Sequence, residues 1–198
     1  MSKSIIIKVQ LAESKPPIWR RIVVNENTTF YQLHHIIQIA MGWENYHLFE
    51  FRSEGYRIGE LCEDFSDFGF GKAEITDSKK ITLKDFITKE KEIINYEYDF
   101  GDGWAHKLTI EKIVDIETPL NAPICIKGKL CCPPEDCGGI GGFYHLIKVL
   151  EDKKHNEHKS MKKWVGGSFD VNEFDIEMIN EELMCIDDYI KNWERLRN

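Results

Sequence analysis

Residues 96–106, reading YEYDFGDGWAH, constrain the fold of this chain more tightly than any other stretch. Ahead of the glycines, Ile94, Tyr96, Tyr98 and Phe100 alternate with Asn95, Glu97 and Asp99, the period-two pattern of a half-buried strand. Gly101-Asp102-Gly103 then offers the positive backbone angles that a tight primed hairpin turn requires. On the return strand Trp104, His106, Leu108 and Ile110 share one face, and Lys107, Thr109 and Glu111 share the other. His106 therefore sits on the apolar side.

The flanking sequence extends this hairpin into a sheet with helices. Residues 4–11 form a β-rich run, Pro16-Pro17 breaks it, and residues 18–24 (IWRRIVV) read as a second strand antiparallel to the first. In TFYQLHHIIQIAMG, Thr29 is a cap, Gly42 a stop, and Phe30, Leu33, Ile37 and Met41 recur at helical spacing. His34 falls on or beside the buried face of that helix, where a core histidine with a hydrogen bond competes with any functional role, and His35 points further round. HLFEFRS is a third strand on which His47 and Glu50 face opposite ways, which weakens HLFE as a metal motif. Residues 56–70 read as a short strand and a flap-like loop, Thr82 caps a helix over LKDFITKE, and ICIKGKL is a further strand. From residue 143 the pattern turns helical in FYHLIKVLED, HKSMKKWVG and FDIEMINEELMCIDDYIKNW. The order predicts an α+β fold: an antiparallel or mixed sheet with helices packed on one side, formed as a single domain over 1–198 whose residues 143–198 are a helical C-terminal part.

Charge and cysteine usage narrow the function classes. The 198 residues carry 26 Lys and Arg against 34 Asp and Glu, a net charge of −8, which disfavours strong non-specific attraction to nucleic acid or anionic lipid. No apolar run is long enough for a membrane span, and MSKSIIIKVQ lacks the pattern of a signal peptide, so a cytoplasmic protein is expected. Of six cysteines, Cys131, Cys132 and Cys137 crowd together without a CxxC pair, which argues against a structural zinc knuckle. GGIGGF lacks the spacing of a nucleotide-phosphate loop and follows an acidic pair.

The remaining chemistry lies in Asp99, Asp102, His106, Glu135 and Asp136, with His34 and His47 in reserve. These are oxygen and imidazole ligands of the kind that hold a divalent metal. Local structure offers competing roles: Asp102 as turn former, Asp99 as a polar strand residue, Glu135 and Asp136 as a helix cap. Because both the hairpin and the CCPPEDCGG stretch concentrate small residues and carboxylates, the two are expected to meet and frame one pocket.

Four blocks in this order, IWRRIVV, LHHIIQIAMGW with HLFEF, YEYDFGDGWAHKLTIEK and PPEDCGGIGGF, resemble the plasmid pRiA4b ORF-3-like family. The resemblance spans roughly residues 5–150 and implies an α+β domain without an established activity. Some members are labelled as passenger proteins of mobile elements or as resolvases. A serine resolvase needs a nucleophilic serine, an arginine cluster and a DNA-binding helical unit, and none can be placed here. The expected function is a binding or accessory module. The competing class is a metal-dependent hydrolase or phosphodiesterase in which Asp99, Asp102, Glu135 and Asp136 hold the ion and His106 acts as general acid or base.

Overall fold

The computed structural model describes residues 2–60 and 75–197. Eight strands form one sheet: β1 (Ser2–Leu11), β2 (Trp19–Asn25), β3 (Phe49–Ser53), β4 (Tyr56–Gly59), β5 (Ile75–Asp77), β6 (Ile93–Tyr98), β7 (Trp104–Ile116) and β8 (Ile124–Lys129). Their spatial order is β5-β4-β3-β6-β7-β1-β2-β8. Only β4 and β5 run parallel, so the sheet is mixed and the fold is α+β. The loop reading over residues 61–70 lies outside the described residues.

Register follows the hydrophobic pattern, because a one-residue slip would turn every buried side chain to the opposite face. Ile7 pairs with Ile22 on one side and Ile110 on the other, so Ile5, Ile7, Val9 and Leu11 join Ile22, Val24, Leu108 and Ile110 on the buried face. The helices are α1 (Phe30–Met41), α2 (Leu83–Phe86), α3 (Gly139–Glu151), α4 (His158–Trp164), α5 (Ile176–Met184) and α6 (Ile186–Arg197). α1 contributes Leu33, Ile36, Ile37 and Ala40 to the core, and α5 adds Ile179 and Leu183. At the N-terminus of α1, Thr29 and Gln32 cap each other reciprocally, and Gly42 ends the helix in the left-handed region.

Three local expectations are corrected. The helix capped by Thr82 is a single turn, because after Phe86 the chain passes to extended geometry at Ile87. The last helical run is two helices divided at Cys185. In the hairpin, Tyr98 pairs directly with Trp104, leaving residues 99–103 as a longer connection than a two-residue primed turn. Its left-handed residues are Asp99 (φ 55°) and Gly103 (φ 67°), not Asp102, and the Gly103 N–H closes the loop onto the Asp99 carbonyl at 2.6 Å.

Nothing lies within 4 Å of a Cβ built on Gly103, so a substitution there meets backbone strain alone. Gly103→Val is expected to cost about 1–2 kcal/mol, since a β-branched residue resists the left-handed region. The melting temperature should fall by several degrees; an unchanged value would show that the loop adapts freely.

Candidate functional site

The hairpin and the CCPPEDCGG stretch do meet. Polar contacts from three residues position the second of them. Arg20, on the inner face of β2, donates from Nε to the Ala40 carbonyl at 2.8 Å and from its guanidinium nitrogens to the Lys129 carbonyl at 3.2 Å and Cys132 Sγ at 3.3 Å. Trp43, directly after α1, donates its indole N–H to the Pro133 carbonyl at 2.9 Å. The Asp102 carboxylate then accepts the Gly138 backbone N–H at 3.1 Å, placing a negative charge at the start of α3. Arg20, Trp43 and Asp102 thus tie the loop to β2, the end of α1 and the hairpin.

This clamp brings Asp136 to His47. His47 Nε2 lies 3.1 Å from Asp136 Oδ1 and 3.7 Å from Asp99 Oδ2. Ligand atoms of these three residues all fall within 4.8 Å of one another, and among the described residues no other group of three or more His, Cys, Asp or Glu side chains does so. The three come from different segments: His47 just before β3, Asp99 at the end of β6, Asp136 in the loop before α3. Both aspartates hold left-handed backbone angles, φ 55° and 57°. Asp99 Oδ1 also accepts the Gly101 N–H at 2.9 Å, which fixes the rotamer that points Oδ2 at His47. Beside the triad opens a cleft of about 400 Å³ lined by Tyr46, His47, Asp99, Phe100, Trp193 and Arg197.

The other expected site residues stand elsewhere. Glu135 is a neighbour with structural work: its carboxylate accepts the Tyr98 hydroxyl and, at 2.7 Å, the Glu44 backbone N–H. Burial, reinforced by that carboxylate, holds the Tyr98 phenol far above its ordinary range. Neither Glu135 nor Asp136 caps α3; Gly138 is its N-cap. His106 is 2% exposed, packed between Tyr96 and Trp43 with ring centroids 5.3 and 5.2 Å away. Its ring nitrogens face the backbone of Trp104 and Tyr96 without hydrogen-bond geometry, and burial lowers its pKa to about 4. It is a core residue and cannot act as general acid or base at a surface cleft.

His34 belongs to a buried polar chain. Gln38 Nε2 donates to the Tyr96 hydroxyl at 3.0 Å, that oxygen lies 2.8 Å from His34 Nδ1, and His34 Nε2 lies 2.6 Å from Asn45 Oδ1. Asn45 Nδ2 in turn reaches His35 Nδ1 at 3.3 Å. One proton assignment satisfies all of these links: both imidazoles neutral, each protonated on Nε2. His35 is as buried as His34, against the expectation, because Tyr189 and Trp193 of α6 cover the side of α1 that the sheet leaves open. The thiols are no better placed for chemistry. Burial raises Cys131 and Cys137 to about 12 and Cys132 to about 11, so none supplies a nucleophilic thiolate at neutral pH.

Trp43, Arg20 and Tyr98 are the residues that sequence reasoning missed as parts of this site. Each lies in one of the four blocks, and each touches the loop that carries Glu135 and Asp136. Comparison with known proteins leads to the same blocks. An uncharacterised protein, y4hQ, of Sinorhizobium fredii is 31% identical over 191 residues, covering 96% of this chain and 93% of its own. A crystal structure of a protein of unknown function, MM3350 from Methanosarcina mazei Go1, superposes with a TM-score of 0.79 at 36% identity, over 89% of this chain and 97% of that one. The family model described as plasmid pRiA4b ORF-3-like protein matches residues 3–178, and the chain belongs to that family.

Proposed function

We propose that this protein is a binding module that takes a divalent cation at His47, Asp99 and Asp136. The observation that carries this reading is the convergence of three ligand atoms, from three separate segments, within 4.8 Å. Adjacent ligand atoms around an ion bonded at roughly 2.1 Å stand about 3 Å apart, so small side-chain movements suffice to close the set. One imidazole and two carboxylates suit zinc, manganese or ferrous iron better than calcium, which prefers an all-oxygen cage. Three protein ligands leave positions for water or for a group of a bound molecule entering from the cleft.

A metal-dependent hydrolase is the second reading, favoured by that open cleft beside the ligands. With His106 in the core, the described site has no histidine other than the ligand His47 to move a proton. The site therefore favours binding over hydrolysis.

Isothermal titration with Zn²⁺ and Mn²⁺ tests it. One ion per chain is expected, and saturation at about a hundred times Kd should add about 2.7 kcal/mol of stability, roughly 5–10 °C in melting temperature for a chain of this size. Asp99→Asn and Asp136→Asn keep a side chain that tolerates the left-handed angle. Each should weaken the ion by at least about tenfold with the apo melting temperature nearly unchanged. Absence of binding heat and of thermal shift with both metals would end the proposal.

A further inference from the structure

We propose that the open face of the sheet binds single-stranded nucleic acid. Although the chain is acidic overall, its charges are unevenly placed. Alternation turns Lys8 and Gln10 of β1, Trp19 and Arg21 of β2, Lys107 and Thr109 of β7, and Lys127 and Lys129 of β8 away from the core. Register lines them up in two cross-strand rows. Lys127 stands opposite Arg21, Arg21 opposite Lys8, and Lys8 opposite Thr109; Lys129 stands opposite Trp19, Trp19 opposite Gln10, and Gln10 opposite Lys107. With strands about 4.8 Å apart, each row is about 14 Å long, and the rows lie about 7 Å from each other.

Charge balance on this patch is positive. Glu111 is engaged by Arg21, with its Oε2 2.5 Å from the guanidinium. Further along the sheet Arg52 engages Glu50 and Glu97. Among the described residues no carboxylate lies within ion-pair distance of Lys8, Lys107, Lys127 or Lys129, and the last three are exposed. In their midst sits Trp19, with Lys8 Nζ 5.3 Å and Arg21 Cζ 5.1 Å from its ring. A sheet face that offers an indole beside exposed lysines without carboxylate partners matches an unstacked base with its backbone phosphates: the ring takes the base and the lysines take the phosphates. Duplex hides its bases, so Trp19 has nothing to stack on, and the net charge of −8 opposes its denser phosphate field.

Fluorescence anisotropy with labelled oligothymidylate, oligouridylate and a mixed-sequence duplex, over a salt series, tests the assignment on the full chain. Saturable binding of a single strand is expected, with the duplex weaker by at least tenfold. Preference between the thymidylate and uridylate probes tells DNA from RNA. Trp19→Ala should raise Kd about tenfold, a stacking-sized loss. Lys127→Glu with Lys129→Glu should weaken binding further and flatten the salt dependence by about 1.4 in log–log slope, two phosphate contacts on a single strand. Trp19→Phe, which keeps a stacking ring, should retain most of the affinity if the alanine variant melts early. No binding of either single strand, duplex binding as tight as single strand, or affinity that ignores both the tryptophan and the lysine substitutions would overturn the proposal.

Discussion

Alanine at Gly139 or Gly142 is expected to unseat the loop that carries Glu135 and Asp136, while alanine at Gly141, in the same first turn of α3, is expected to be harmless or stabilising. The difference lies in what each glycine touches. A Cβ on Gly139 would stand 2.4 Å from the Asp102 backbone oxygen, and Gly139 also holds a φ of 67°. A Cβ on Gly142 would stand 1.8 Å from the Cys137 carbonyl oxygen, while one on Gly141 would meet nothing within 4 Å. Left-handed strain of about 1–2 kcal/mol and overpacking of about 1–3 kcal/mol together put Gly139→Ala near 3 kcal/mol, roughly 10 °C in melting temperature. Gly142→Ala meets closer backbone and should cost at least as much. Gly141→Ala should gain about 0.5–1 kcal/mol from helix propensity. Metal affinity should fall with the first two and not with the third, because the Asp102–Gly139 seat fixes where Asp136 stands. Equal melting temperatures for the Gly139 and Gly141 variants would show that hairpin and loop are not locked together.

That contrast also marks the boundary of what the sequence discloses. Period-two alternation was enough to place β6 and β7 and to turn His106 inward, because burial of one face dictates register. Thr29 and Gly42 were enough to bound α1, because capping is local chemistry. GGIGGF, by contrast, matches no phosphate-loop spacing and offers no local reason for its glycines; only the long-range contact with Asp102 shows why Gly139 must be glycine. On a regular strand His47 would share the face of Phe49 and Phe51. β3 begins at Phe49, so His47 lies before the strand and is free of its alternation. Asp99 reads as a strand residue, yet β6 ends one position earlier and the left-handed turn at Asp99 is what aims its carboxylate. Asp136 reads as a helix cap, a role that Gly138 fills. The site's residue types were legible; their convergence depends on chain ends and loop angles that leave no periodic trace.

Acidification from pH 7 to pH 4 is expected to remove most of the protein's stability, through three histidines that folding keeps neutral. Burial lowers His35 and His106 to about 4 and His34 well below its ordinary value; for His34 the neighbouring His35 adds to the effect. At pH 7 these rings are mainly neutral in both folded and unfolded chains, so they cost little. Below the unfolded value of about 6.5 the unfolded chain takes up protons that the folded chain refuses, and stability falls by up to about 1.4 kcal/mol per pH unit for each ring. For His35 and His106 the fall continues to about pH 4, where the folded rings begin to protonate, a total near 3 kcal/mol each. His34 acts in the same direction. Two such losses already match the lower end of the stability of ordinary domains, about 5–15 kcal/mol. His106→Phe isolates one contribution, since that ring gives up no hydrogen bond and stays packed between Tyr96 and Trp43. Whatever the substitution does to packing is present at both pH values, so the test is the difference between them. Urea unfolding at pH 7 and pH 5 should show the variant losing about 2 kcal/mol less than the parent chain over that interval. A parent chain equally stable at both values, or a variant with the same pH slope, would mean that the unfolded chain gains no protons over the folded one and that burial does not hold these rings neutral.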